Sequence, residues 1–449
     1  MMNYHFIAIG GAVMHNLALA LHHLGHTVTG SDDQIFEPSR TRLENYGLLP
    51  AQLGWFPEKI TSNIDAVILG MHARGDNPEL QAAQNLGIRI FSFPEFVAYH
   101  SQNKTRLVIA GSHGKTTITS MLMHVLRKSG RSFDYLVGSQ IEGFETMVQI
   151  SDAPLIILEG DEYLTSPLDP RPKFLWYHPH LALISGIAWD HMNVFPTWDS
   201  YVNAFRDFAK TLPDEGFLVY DETDAALSAL MLENELPGKR VGYQAHLYRV
   251  ENEQCFLLQE NGNAIGVEVF GEHNLKNIQG AYLLCKKLGL SNDEFYSGIS
   301  SFKGAAKRME CWKNEAEEVI YRDFAHSPSK LKATVEAVRL QYPNRKMLAV
   351  FELFTYSSLN AAFLPQYENA MQAADEAWVY YNPAQLELKK LTFFSPEKVI
   401  EDFKHQNIRV FTNSDELFEQ LKQRNRENSS LLLMSSGNFN NLPLEQILK

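Results

Sequence analysis

The chain has 449 residues, of which 45% are hydrophobic and 21% charged, with a formal net charge of -13 at pH 7. These are globular proportions that exclude a disordered or fibrous chain, and the length asks for roughly two to four domains rather than one core. The acidic surplus excludes nucleic acid and anionic membrane as main partners, because no basic excess exists to neutralise phosphates broadly.

Cys255, Cys285 and Cys311 have neither disulfide nor zinc spacing. No leader pattern opens the chain and no run of about 18 apolar residues occurs, so a soluble, cytoplasmic protein is expected.

Residues 1–104 alternate strand and helix signals. Tyr4–Ile9 reads as a strand, Gly10-Gly11-Ala12 as a turn, and Met14–Leu24 as a helix with apolar residues at helical spacing. A second strand, His26–Gly30, ends in Ser31-Asp32, where a βαβ unit holds a nucleotide ribose. Val13 and Asn16 stand where further glycines would let a dinucleotide approach, so a plain βαβ unit explains the motif as well. The strand Ala66–Gly70 leads to His72 and Arg74, placed either at the ligand edge of a parallel sheet or in a solvated loop. Polar Ser101–Lys104 reads as a linker.

Residues 105–311 open on the apolar strand Leu107–Ala110, which breaks into Gly111-Ser112-His113-Gly114 and resumes as a helix at Lys115-Thr116-Thr117. Glycines let the backbone approach an anion, inward amides and the helix N-terminus favour negative charge, and this predicts a phosphate cradle. Lys115 would reach terminal phosphates, and Thr116 would offer its hydroxyl to Mg²⁺. Ala110 occupies a place near which the general phosphate-loop pattern needs a glycine, so only the compact form of the motif is present. Leu155–Leu158 ends in Glu159-Gly160-Asp161-Glu162, three carboxylates suited to a hard cation, or to an acidic surface turn. Leu181–Ser185 is followed by Asp190-His191. Asn274 and Asn277 lie three apart on one helical face, suited to a planar base, with helix capping by Asn274 as the competing account. Arg308 could meet a phosphate or form a boundary salt bridge.

In residues 312–449, the strand Val319–Arg322 ends at Asp323, Met347–Phe351 ends at Glu352, and Ser430–Met434 runs into Ser435-Ser436-Gly437. That is the pattern of a sheet whose carboxyl edge lines a site.

Taken together, Gly111–Thr117, Glu159, Asp190-His191, Gly271–Asn274 with Asn277, Phe302-Lys303-Gly304 with Arg308, and Asp323–His326 resemble the ATP-dependent Mur ligases of bacterial wall synthesis. The resemblance implies an α/β fold of three domains. These are a Rossmann-like UDP-sugar-binding domain over 1–104, a P-loop ATPase-like domain with a mixed sheet over 105–311, and a Rossmann-like C-terminal domain over 312–449 with peptide and ATP contacts.

It further implies an ATP-dependent amide ligase acting through an acyl phosphate on UDP-N-acetylmuramate, with Mg²⁺ or Mn²⁺. Lys115, Glu159 and His191 are the implied catalytic residues, with Thr116, Glu159 and His191 at metal. Gly111, Ser112, His113, Gly114, Lys115, Thr116, Thr117, Asn274, Asn277, Arg308 and Asp323 are implied at ATP, and Gly10, Gly11, Ser31, Asp32, His72 and Arg74 at the UDP-sugar. Partners are expected to be UDP-N-acetylmuramate, ATP and a murein peptide, with the chain a monomer or weak homo-oligomer.

Arg74–Pro78, Asp161-Glu162-Tyr163 and Met434–Phe439 resemble the branch that attaches the preformed tripeptide L-alanyl-γ-D-glutamyl-meso-diaminopimelate in peptidoglycan recycling. The L-alanine-adding branch is the close alternative, and a non-catalytic UDP-sugar and ATP sensor is the alternative of another class. Gly186, Asn193 and Ser327 depart from the common family pattern, and Leu353-Phe354 replaces a proline-arginine pair expected of the tripeptide branch.

Overall fold

The computed structural model describes residues 1–71, 73–141, 143–166, 168–189, 194–305 and 308–448. It divides into two compact units, Met1–Gln244 with Lys276–Ile299, and Ala245–Leu275 with Ser300–Lys449. Among the described residues no helix is long and apolar enough to cross a membrane.

The first unit begins with β1 (Asn3–Ile7), β2 (Thr27–Ser31), β3 (Ala66–Leu69) and β4 (Arg89–Ser92), an all-parallel sheet in the order β2-β1-β3-β4. Successive strand side chains point to opposite faces. Phe6 therefore enters one apolar cluster with Leu17, Leu21 and Phe96, and Ile7 enters another with Val67, Leu69 and Leu80. A sheet covered on both faces needs strands that are apolar throughout, which is why these segments read as continuous hydrophobic runs.

Seven strands follow: β5 (Thr105–Ala110), β6 (Asp134–Leu136), β7 (Val148–Gln149), β8 (Leu155–Glu159), β9 (Leu181–Ile184), β10 (Phe217–Asp221) and β11 (Lys239–Tyr243). Their order is β11-β10-β9-β5-β8-β6-β7, parallel except for β7, which pairs antiparallel to β6. The chain passes from β8 on one side of β5 to β9 on the other. Loops leaving the carboxyl ends of all three therefore open on one crevice, the switch point where open α/β sheets bind ligands. The linker is pinned, since Lys104 pairs with Asp134 at 2.8 Å and donates to the Ser151 and Ala153 carbonyls.

The second unit holds an antiparallel sheet of β12 (Tyr248–Glu251), β13 (Gln254–Leu258) and β14 (Ala264–Val267). Its larger sheet contains β15 (Glu310–Asn314), β16 (Glu318–Asp323), β17 (Lys346–Glu352), β18 (Glu376–Tyr380), β19 (Ile408–Phe411) and β20 (Ser429–Met434), in the order β15-β16-β20-β17-β18-β19. Only β15 is antiparallel. Central β20 is buried along its whole length, and Met434 is level with both Asp323 and Phe351. The carboxyl ends of β16, β20 and β17 thus form one edge.

Candidate active site

The loop after β5 is shaped by two glycines in the left-handed backbone region, Gly111 at φ +128° and Gly114 at φ +76°. A side chain at Gly111 would collide with Ser185, and a Cβ at Gly114 would lie 2.7 Å from Asn277 Oδ1. The loop is tied to the segment after β9: the Ser112 N–H donates to the Gly186 carbonyl at 2.9 Å, the Ala188 N–H donates to Ser112 Oγ at 2.8 Å, and the Ser185 hydroxyl donates to the His113 carbonyl. The helix Lys115–Lys128 starts directly behind Gly114, and no side chain caps its first turn among the described residues. A helix start left to its own amides is an anion site in the making, and here it faces the crevice beside β5.

Lys115 Nζ donates to the Gly111 carbonyl at 2.5 Å and to Glu162 at 2.8 Å. Glu162 also accepts the Tyr201 hydroxyl at 3.2 Å. Burial works against the Lys115 ammonium, but Glu162, Asp161 and Glu159 outweigh it and hold its pKa above the usual value. Lys115 is therefore a fixed point charge at the loop.

Thr116 Oγ1 donates to Glu159 at 2.9 Å, and the Gly138 N–H donates to the other Glu159 oxygen at 3.0 Å. Burial raises the Glu159 pKa, against the pull of the Gly138 N–H and Lys115. Of the three carboxylates at and just beyond the end of β8, Glu159 is the one that meets the Thr116 hydroxyl. Lys173 holds Asp161 at 2.6 Å, and Lys115 holds Glu162.

A carboxylate and a hydroxyl are hard oxygen donors that fit Mg²⁺, which usually takes one or two carboxylates and completes its shell with water and substrate phosphates. No group of three His, Cys, Asp or Glu side chains arranged for a metal occurs among the described residues, so the pair would depend on the nucleotide for further ligands. His191, Asp190, Asn193 and His72 lie outside the described residues.

In the first sheet, Asp32 Oδ2 accepts the Gly10 N–H at 2.7 Å, and Oδ1 accepts the Gln34 N–H at 3.4 Å. Asp32 thus braces the turn after β1, and burial raises its pKa against the Gly10 N–H. Gly11 precedes the helix Ala12–His23, Ser31 is buried and receives Lys59 at 3.4 Å, and Arg74 is exposed.

In the second unit, Asp323 accepts the N–H groups of Met309 and Ala325, both at 2.7 Å, and the Thr334 hydroxyl at 3.3 Å. The Arg308 guanidinium lies 4.5 Å from the Phe324 ring centroid. Asn274 donates to the Phe270 carbonyl at 3.0 Å, the local helix-start bond that competes with base recognition. Arg206 pairs with Glu233 at 2.9 Å.

The roles of three contributors were not read from the sequence. Tyr201 on the helix Trp198–Lys210 and Ser185 after β9 carry no motif. The Asn16 amide oxygen accepts the Arg42 guanidinium at 3.1 Å and the Met147 N–H at 2.9 Å, joining the first sheet's helices to the segment before β7. An asparagine among apolar helix positions was the one available signal.

A four-stranded parallel sheet, a mixed sheet with a lysine-bearing, glycine-shaped loop at its switch point and a further, mostly parallel sheet define an α/β protein built from three sheet-centred segments. The chain matches the descriptions "Mur ligase family, catalytic domain" over residues 3–105, "Mur ligase middle domain" over 109–285 and "Mur ligase, glutamate ligase domain" over 307–437. It is 30% identical, over 97% of its length and 95% of the relative's, to the UDP-N-acetylmuramate–L-alanine ligase of Caldanaerobacter subterraneus subsp. tengcongensis. It is 29% identical, over 75% of its length and 76% of the relative's, to the UDP-N-acetylmuramate–L-alanyl-γ-D-glutamyl-meso-2,6-diaminoheptandioate ligase of Escherichia coli K12. The crystal structure of UDP-N-acetylmuramate–alanine ligase from Thermotoga maritima shares the fold, with a TM-score of 0.72 over 100% of this chain and 98% of that one at 19% identity. The chain belongs to the Mur ligase family and has its α/β fold with N-terminal, central and C-terminal domains. Members of this family are ATP-dependent amide ligases that form C–N bonds.

Proposed function

We propose that this chain joins the tripeptide L-alanyl-γ-D-glutamyl-meso-diaminopimelate to UDP-N-acetylmuramate at the expense of ATP, in peptidoglycan recycling. The observation that carries the ligase chemistry is the convergence of Lys115, Thr116 and Glu159 where the β5 and β8 loops open on one crevice.

In this reading the lactyl carboxylate attacks the γ-phosphorus of ATP, giving an acyl phosphate and ADP. The peptide's free amine then attacks the acyl carbon, the C–O bond to phosphate breaks, phosphate leaves, and the amine sheds its proton. Phosphoryl transfer of this kind needs positioning and charge neutralisation more than covalent help from the protein. Lys115 and the first amides of the helix Lys115–Lys128 hold the β- and γ-phosphates. Thr116 and Glu159 would hold Mg²⁺, which neutralises phosphate charge when bound. Asn277 sits against Gly114 and takes the nucleotide from the helix side. Gly10, Gly11, Ser31 and Asp32, with His72 and Arg74, take UDP, and Arg308 and Asp323 serve the nucleotide from the C-terminal domain.

The acceptor is where the readings divide. The stretches Arg74–Pro78 and Met434–Phe439 favour the tripeptide, whereas the 30% identical relative adds L-alanine. The acyl-phosphate course is tested by labelling the UDP-N-acetylmuramate carboxylate with ¹⁸O. One label should appear in released phosphate, and unlabelled phosphate would reject the course.

A further inference from the structure

The central sheet has a second cavity at its other end. A space of about 360 Å³ is lined by Arg106, His178, His180 and the turn from Thr211 to Gly216. These residues stand at or just before the starts of β5, β9 and β10, three parallel neighbours, so the cavity lies at the amino edge of the sheet. Arg106 is separated from Gly111 by the length of β5, which at about 3.3 Å per residue sets the cavity roughly 16 Å from the loop that carries Lys115. Its volume falls at the lower end for small-ligand cavities, which run roughly 300–1,000 Å³.

Both signs of charge line this space without meeting. Arg106 is half-buried and has no carboxylate partner among the described residues. Its Nε donates to the His178 carbonyl at 2.9 Å and its Nη1 to the Ser101 carbonyl at 3.2 Å, while Nη2 meets no acceptor among the described residues. Burial holds the guanidinium's pKa below its usual value, as expected of a cation that no acid compensates. His178, whose carbonyl takes the Nε bond, has φ +40°, a left-handed conformation that side-chain-bearing residues rarely adopt and that gathers at binding sites. His180 Nδ1 accepts the Arg106 backbone N–H at 3.1 Å. Burial and then Arg106 lower the His180 pKa, so the ring is neutral near pH 7 and offers Nε2–H as a donor. On the turn, Glu215 is exposed and forms no ion pair among the described residues, Arg106 included. Leu212 and Pro213 add apolar surface beside it. The turn is fixed, because the Gly216 N–H donates to the Pro213 carbonyl and the Gly216 carbonyl accepts the Lys239 N–H, both at 2.8 Å.

We propose that this cavity binds a free aliphatic α-amino acid as a zwitterion, with Arg106 and His180 taking the carboxylate, Glu215 the ammonium, and Leu212 with Pro213 the side chain. Opposite charges that share one cavity unpaired suit a molecule that carries both. The site is separate from the crevice beside Lys115, so its occupant is a ligand and not a reactant.

The test is calorimetric titration of the full chain with L-valine, with isovalerate, which lacks the ammonium, and with isobutylamine, which lacks the carboxylate. Wild type should bind isovalerate about two- to fivefold more weakly than valine, as for loss of an exposed ion pair. It should bind isobutylamine roughly ten- to hundredfold more weakly, as for loss of a charge-assisted hydrogen bond. Glu215→Gln should bind valine as weakly as isovalerate and leave isovalerate binding and the ligation rate unchanged. Arg106→Gln should lose both carboxylates. Arg106 also holds two backbone carbonyls and its loss could unsettle the fold, whereas Glu215 is exposed, so Glu215→Gln keeps the test decisive. No binding of valine, equal binding of the three probes, or valine binding that Glu215→Gln leaves intact would each overturn the inference.

Discussion

The Lys115 ammonium and the Glu162 carboxylate face each other at 2.8 Å with side chains only 16% and 1% exposed, directly behind the loop that follows β5. Removing one member of such a pair strands a buried charge and costs about 3 kcal/mol or more. Lys115→Ala should therefore abolish turnover and also lower the urea midpoint. Lys115→Ala combined with Glu162→Gln should regain stability and stay inactive. Near-normal ligation by Lys115→Ala would remove the loop from the mechanism.

Gly114 offers a second probe of the same loop. At φ +76° an alanine costs about 1–2 kcal/mol, and its Cβ would press on Asn277 Oδ1 at 2.7 Å. Gly114→Ala is expected to lower the urea midpoint in proportion to that cost and to raise the KM for ATP, because the loop must shift away from Asn277 to admit the methyl group. Binding of UDP-N-acetylmuramate, read by calorimetry, should be unchanged.

Asn16 is fully buried and satisfies both Arg42 and the Met147 N–H. Asn16→Ala leaves that N–H without its partner, which predicts a loss of about 1–3 kcal/mol in denaturant unfolding. Asn16→Asp keeps an acceptor oxygen and should lose less.

The His100 imidazole gives the stability its acid limb. Burial, then His26 and Lys104, push its pKa down to about 4, against an ordinary value of 6.5. Between those values the unfolded chain binds a proton that the folded chain does not. Stability is therefore complete above about pH 6.5 and falls as pH drops toward 4. His100→Gln should flatten the difference between urea midpoints at pH 7.5 and pH 5, and an unaltered slope would reject the assignment.

How much of this was legible beforehand varies with the kind of interaction. β5 and its loop were readable because four apolar residues between polar flanks, followed by two glycines and a lysine, leave few conformations open. The role of Asp32 was half readable: its place after β2 was plain, but its bond to the Gly10 N–H depends on the turn geometry. The run Glu159–Glu162 announced charge without saying which carboxylate would meet Thr116 and which would be taken by Lys115 or Lys173. Those pairings join residues 12 to 47 positions apart, and only the packed sheet determines them. The hairpins of β12 to β14 gave no signal, since Tyr248–Glu251 alternates between exposed and half-buried positions with little apolar contrast.

The central claim is that this Mur ligase accepts a preformed tripeptide, and phosphate release from ATP tests it most directly. With UDP-N-acetylmuramate and Mg²⁺ present, L-alanyl-γ-D-glutamyl-meso-diaminopimelate should drive rapid release and L-alanine should not. Release with L-alanine alone would contradict the claim and move the chain to the L-alanine-adding step.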